Sequence, residues 1–254
     1  MKSGDKSRYS SEMSVDRLSI RDRPNGQPLM HQAWGKLLFM HWRIDEAALR
    51  PFIPAGLDID VFDGSAWIAV VPFTMWDIRP FPPYVPPFPG LSAFHELNVR
   101  TYVYLNGTPG VWFFSLDCNS APAVFGARKF YYLPYYKAEI ELEQAAQTIT
   151  YYSKRMEAPE ASFRAVWEIG GPLPVAEPGS LEFFLTERYC LFSEHDDSLY
   201  RSRIHHQPWP LQTAIVHSYS TTMIEAVGLQ TPRGEPILHY AEELHVDIWP
   251  LQKQ

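Results

Sequence analysis

Proline recurs 23 times in 254 residues, and no other feature restricts the fold as much. Inside a helix or a central strand it removes a hydrogen bond and clashes with neighbouring backbone. Much of this chain must therefore be loops and turns that join short segments. Those segments alternate apolar and polar residues with period two, the pattern of strands with one buried face. In Glu96–Leu105, Leu97, Val99, Thr101, Val103 and Leu105 share one face, and Glu96, Asn98, Arg100, Tyr102 and Tyr104 share the other. In Tyr135–Glu143, Tyr136, Ala138, Ile140 and Leu142 oppose Tyr135, Lys137, Glu139, Glu141 and Glu143. Further strands are expected at Lys36–Arg43, Ala66–Phe73, Val111–Asp117, Gln147–Arg155, Phe163–Ile169, Tyr189–Ser193, Leu199–His205 and around Leu244–Ile248. Asp63-Gly64 is expected to turn a hairpin between Leu57–Phe62 and Ala66–Phe73, and Asn106-Gly107 supplies a similar turn. Short helices are expected at Glu46–Arg50, capped by Asp45, at Pro122–Lys129 and at Leu181–Thr186. Roughly ten short strands with few helices predict a mainly β fold, an antiparallel sheet closed or half-closed on itself.

Apolar residues make up 46% of the chain and aromatic residues 15%, enough for a sizeable core. One domain is expected over 29–254, preceded by a polar arm over 1–28. The net charge of −7 argues against nucleic acid as a partner, because phosphate binding needs a basic surface. No apolar run reaches the roughly 20 residues of a membrane span, and no signal-peptide core opens the chain. Cys118 and Cys190 form no motif and read as free thiols in a reducing, cytoplasmic compartment. The proline-dense stretch Pro80–Pro89 reads as a rigid crossover or as a lid and pocket rim. The segment Phe81–Phe94, or a sheet edge, offers a surface for a homodimer.

No nucleophile-elbow, zinc-protease, phosphate-loop, dinucleotide or CxxC motif is present, so no cofactor is expected. His205 and His206 are adjacent on a strand and face opposite ways, which argues against a metal site. Glu96, Asn98 and Arg100 are a better candidate. They share one strand face, about 7 Å apart per step. Together they can hold a carboxylate or an oxo acid, with Glu96 as acid or base. The alternative is an ion-paired face open to water. Lys137 is a candidate amine for Schiff-base chemistry, or an exposed lysine paired with Glu139 or Glu141. Arg188 reads as a pocket cation or a cap on helix carbonyls.

The segments HWRIDEAALRPFIPAGLDIDVFDGSAWIAVVPF, FHELNVRTYV, GVWFFSLD, LPYYKAEIE, ERY (Glu187–Tyr189), HHQPWPLQ and VDIWP together resemble the YqjF-like family of uncharacterised proteins. The resemblance covers nearly all of Trp34 to Pro250. That family is grouped with the acetoacetate decarboxylase-like superfamily, which implies an antiparallel β-barrel or cone around an internal cavity. Arg43–Pro54 resembles the decarboxylase pattern RTD-x-x-ALR-x-x-x-P, and Glu96 falls where those enzymes carry a pocket glutamate. Their Pro-Lys-Lys run is replaced here by Pro134-Tyr135-Tyr136, with Lys137 one residue late. The resemblance therefore implies a pocket without the paired Schiff-base lysines. The expected occupant is a small anionic, oxo-acid-like molecule. Glu96 is the expected catalytic group, and Asn98, Arg100, Arg128, Tyr135, Tyr136 and Lys137 are the expected ligand-binding residues. A Lys137-dependent carbon–carbon lyase and a non-catalytic interaction domain are the alternatives.

Overall fold

The computed structural model describes residues 15–82 and 93–254. Along the chain run β1 (Met30–Ile44), α1 (Glu46–Leu49), β2 (Asp58–Ile59), β3 (Ala66–Pro80), β4 (Ala93–Leu105), β5 (Thr108–Cys118), α2 (Ala121–Tyr131) and β6 (Tyr135–Ala145). There follow β7 (Thr148–Arg155), β8 (Ser162–Pro172), α3 (Leu181–Thr186), β9 (Cys190–His195), β10 (Ser198–His206), β11 (Leu211–Thr221), β12 (Ile237–Ile248) and β13 (Gln252–Lys253). No helix among the described residues is long and apolar enough to cross a membrane.

The sheet forks at both ends of a shared wall. β1 pairs along most of its length with β12 on one side and β3 on the other, and β3 pairs with β4, which pairs with β5. At one end β5 also pairs in parallel with β6 through Leu116–Cys118 and with β9 through Val111–Trp112. At the other end β12 also meets β11 at Tyr240–Ala241 and β10 at Val246–Ile248. One branch thus runs β6-β7-β8-β11 and the other β9-β10. The two parallel pairings depart from the all-antiparallel expectation. For β5 and β6 the connection through α2 supplies the crossover that parallel strands need.

Because the branches lie on opposite sides, the wall strands are buried on both faces. Leu37–Trp42 and Ala66–Phe73 are buried without interruption. Alternate residues serve different cores. Leu38, Met40, Ile68, Val70, Leu97 and Val99 pack with Tyr151, Phe163 and Trp167 of the first branch. Leu37, Phe39, Ala69, Val71 and Phe73 pack with Leu116, Tyr135, Ile204 and Trp209 on the other side.

Two buried ion pairs fasten the wall to its surroundings. Arg155 of β7 donates twice to Asp117 of β5, at 2.9 and 2.6 Å, with both side chains fully buried. Arg188, after α3, donates to Asp60 at 2.6 Å and caps the Phe184 carbonyl at 2.8 Å. Of the two readings of Arg188, the carbonyl cap is the one the structure shows.

Three expectations are corrected. The chain does turn at Asp63 and Gly64, both at positive φ, but β2 pairs with Val103 and Tyr104 of β4 rather than with β3. The Asp60 backbone still donates to the Tyr102 carbonyl of β4 at 2.9 Å, and its side chain accepts from Arg188. Within the arm expected over 1–28, residues 1–14 lie outside the described residues. From Val15 onward the chain is docked: Ile20 is buried in the core, Arg17 pairs with Asp60, and Arg23 pairs with Asp247. Finally, β11 has no counterpart among the expected strands. A register shift between Val216 and Ser218 interrupts its period. The Pro80–Pro89 stretch falls mostly, from Pro83 onward, outside the described residues, as does most of the Phe81–Phe94 surface.

Gly35 marks where β1 crosses the wall. Between Gly35 and Met40 the register against β3 shifts by one residue, and Lys36 takes φ +47°. A Cβ on Gly35 would sit 2.1 Å from the Glu242 carbonyl oxygen, so only glycine fits there. Gly35→Ala is expected to lower unfolding free energy by roughly 1–3 kcal/mol, read by urea denaturation. An unchanged midpoint would contradict this account of the bulge.

Candidate functional site

The period-two alternation of β4 turns Glu96, Asn98 and Arg100 away from the packed core holding Leu97 and Val99. All three line a cavity of about 240 Å³ bounded by β1, β3, β4, β5 and α2. The rest of its lining is overwhelmingly apolar, with Trp34, Phe73, Phe94, Phe113 and Trp209 among the walls. Pro122, Ala123, Gly126, Ala127 and Phe130, all on one face of α2, close one side.

Glu96 is buried, and removal from water raises its pKa from 4.5 to about 7. The Tyr135 and Asn98 side chains hydrogen-bond the charged form and pull the other way. Asp117 adds to the rise and Arg100 opposes it. The Tyr135 hydroxyl donates to Glu96 Oε2 at 2.6 Å. Burial, then the nearby Glu96 charge, hold that phenol well above its ordinary pKa, so it remains a donor. Tyr151 anchors the strand from behind by donating to the Glu96 carbonyl at 2.8 Å.

Arg100 lies over the rings of Phe39 at 5.2 Å and Tyr102 at 6.0 Å. No carboxylate is within ion-pair distance of it among the described residues, and its Nε has no partner, nor has the buried Asn98 Oδ1. Beyond it, the Tyr102 hydroxyl donates to the Leu185 carbonyl at 2.7 Å and accepts from His41 Nε2 at 2.6 Å. Burial, then the charges of Arg100, His239 and Arg188, keep the His41 pKa well below its ordinary value. Neutral His41 thus adds no second cation beside Arg100. A cation without an ion-pair partner among the described residues, next to a carboxyl that titrates near neutrality, can bind an anion and move a proton.

The structure brings Glu96, Asn98, Arg100 and Tyr135 together. It does not bring Arg128, Tyr136 or Lys137 to them. Tyr136 faces away from Tyr135 by the strand period and lies under the Arg155 guanidinium, 3.9 Å from its centroid. Arg128 donates to the Tyr135 carbonyl and to Glu157, on the outer side of α2. The Lys137 amine donates to the Asn119 carbonyl just before α2, and the helix lies between it and the cavity, so Lys137 lines only the outer groove beside Ala121 and Phe125. Lys137 pairs with neither Glu139 nor Glu141 by ion pair among the described residues.

Trp34, Phe113, Trp209 and His41 are the site residues that sequence reasoning missed. His41, which stands behind the lining against Tyr102, and Trp209 lie inside motifs quoted for the family resemblance, but nothing in their spacing marks them for the site. Among the described residues no cluster of histidine, cysteine or acidic side chains is arranged to hold a metal ion. Cys118 and Cys190 are both free and buried.

The chain resembles solved structures across its length. It superposes on the enduracididine biosynthesis enzyme MppR, complexed with the condensation product of pyruvate and imidazole 4-carboxaldehyde, with a TM-score of 0.64 at 13% identity, covering 90% of each chain. Acetoacetate decarboxylase from Legionella pneumophila gives a TM-score of 0.58 at 13% identity, covering 90% of this chain and 88% of that one. These likenesses show the acetoacetate decarboxylase-like fold. The uncharacterized protein YqjF of Bacillus subtilis (strain 168) is 43% identical over 231 residues, 91% of this chain and 94% of that protein. The model of the DUF2071 family, described as an uncharacterized conserved protein, matches residues 31–245, and the chain belongs to that family.

Proposed function

We propose that this protein binds a small oxo acid in the cavity on the β4 side of the wall, and that Glu96 transfers a proton at the ligand without a Schiff-base lysine. One observation carries the reading. A carboxyl that titrates near 7 shares a strand face with a guanidinium that has no ion-pair partner among the described residues, on the wall of an otherwise apolar cavity. Arg100 holds the ligand carboxylate. Asn98 Oδ1 accepts from a ligand hydroxyl, as an enol or hydrate would present. Ionised Glu96 takes a proton from the carbon beside the ligand carbonyl, and the electron pair moves onto the carbonyl oxygen, next to Arg100. Tyr135 holds the Glu96 carboxyl in place.

The Lys137 lyase is the less favoured reading, because its amine is tied to the Asn119 carbonyl outside the cavity. Borohydride added with pyruvate, acetoacetate or other oxo acids is expected to leave the intact mass of the protein unchanged. An adduct mapped to Lys137 would reinstate that chemistry.

Pyruvate is a first probe, since it lies within the ligand chemistry of the structural relative MppR. Arg100→Gln is expected to weaken oxo-acid binding at least tenfold by isothermal titration calorimetry, with the thermal midpoint little changed. Equal affinity in the variant would remove Arg100 from the site.

Glu96 also predicts a pH signature. Its folded pKa of about 7 lies above the 4.5 of the exposed group. The folded state therefore holds the proton more tightly. The stability this contributes is fully present below about pH 4.5 and is lost as pH rises to and through 7. At about 1.4 kcal/mol per unit, the loss is on the order of 3 kcal/mol. Glu96→Gln stays neutral, so its melting temperature should rise relative to wild type between pH 5 and pH 8. Parallel melting curves across that range would show that Glu96 is not held protonated.

A further inference from the structure

Pyruvate and acetoacetate have only six or seven heavy atoms, too few to fill a cavity of about 240 Å³. The excess space is apolar and has a particular shape. Trp34 and Trp209 stack with centroids 6.4 Å apart, Trp34 meets Phe73 edge-on at 5.9 Å, and Trp209 meets Phe39 edge-on at 5.1 Å. Aromatic walls in offset and edge geometry favour a flat ring as occupant.

Two further polar groups in this lining have no partner among the described residues. The Trp209 indole Nε1 and the Tyr131 hydroxyl are buried and unbonded, in residues only 3% and 9% exposed. Buried donors left unpaired destabilise a fold unless a ligand takes them up. Both can donate to an acceptor on a ligand that reaches beyond the Glu96–Arg100 wall.

Gly126 points the same way. It lies in the middle of α2, where glycine is a poorer helix former than alanine. Its φ is not positive, so no turn requires it, and a Cβ there would meet no atom within 4 Å. Close packing therefore does not explain this glycine. It shares the cavity-facing stripe of α2 with Pro122, Ala123, Ala127 and Phe130, so a side chain at 126 would narrow the apolar end.

We infer that the ligand is an oxo acid bearing an aromatic substituent that carries a hydrogen-bond acceptor. Its carboxylate sits at Arg100, and its ring lies between the Trp34–Trp209 wall and the small-residue face of α2. This rests on the oxo-acid reading above and adds the size and nature of the rest of the molecule.

The test is calorimetric titration of the full chain with pyruvate, phenylpyruvate and phenylacetone, the last lacking the carboxylate. Phenylpyruvate is expected to bind at least tenfold more tightly than either of the others. Gly126→Phe is expected to reduce the ratio of phenylpyruvate to pyruvate affinity several-fold. Its helicity by circular dichroism should be no lower than wild type, because glycine is the poorer helix former. Trp209→Leu should reduce the same ratio. Pyruvate binding as tightly as phenylpyruvate would overturn the aromatic inference and leave the oxo-acid reading standing. Phenylacetone binding as tightly as phenylpyruvate would overturn the oxo-acid reading instead, and the present inference with it. A ratio unchanged in both variants would show that the ring does not lie against α2 and Trp209.

Discussion

The centre of the wall, Leu37–Trp42 of β1, Ala66–Phe73 of β3 and most of β4, is buried on both sides, and the rest of the molecule is arranged around that constraint. A strand between two interiors has no solvent face on which to place its polar residues. Any polar side chain it carries must be paired, or must open into an enclosed space. Thr101 is paired: its hydroxyl donates to the Trp67 carbonyl at 2.6 Å. Glu96, Asn98 and Arg100 keep unmet capacity, and these three line the cavity. The site follows from the burial of β4 as directly as the core does.

The same constraint explains what could be read from the sequence and what could not. The alternation of Glu96–Leu105 showed which residues share a face. It could not show whether the polar face met water or an interior, because an ion-paired surface strand has the same pattern. That choice depends on the forks at β5 and β12, which are long-range pairings with no local signal. The partition of Tyr135 from Tyr136 was likewise legible by period two. Lys137 shares a face with Tyr135 by that period, yet α2 separates it from the cavity, and no spacing rule sees a helix wedged across a strand. The buried pairs Asp117–Arg155 and Asp60–Arg188 join residues 38 and 128 positions apart. Their partners could not be matched from sequence.

Electrostatics inside the cavity run against those of the whole chain. The protein carries a net charge of −7, but the cavity wall presents one guanidinium and one carboxyl whose ionisation burial opposes. The histidine beyond them is held neutral, and the nearby acid Asp117 is committed to Arg155. On the proposed reading, an anion at Arg100 would meet a positive group beside a carboxyl that burial keeps partly protonated, within an acidic molecule. The low dielectric of the apolar walls strengthens that attraction and suppresses screening by salt.

The division of the interior also separates two burdens that smaller proteins must place on the same residues. Tyr151, Phe163, Trp167 and their neighbours fill the chamber across the wall, while the cavity lining includes Trp34, Phe113, Leu191 and the α2 stripe. Exchanges among the partly buried lining residues Trp34, Phe113 and Leu191 and along the α2 stripe alter what fits, while the opposite chamber and the core of Leu37, Val71, Phe73 and Trp209 keep the sheet folded. A chain built this way can change its ligand over evolutionary time through steps that each leave a folded protein. On this scaffold, ligand preference can drift faster than architecture.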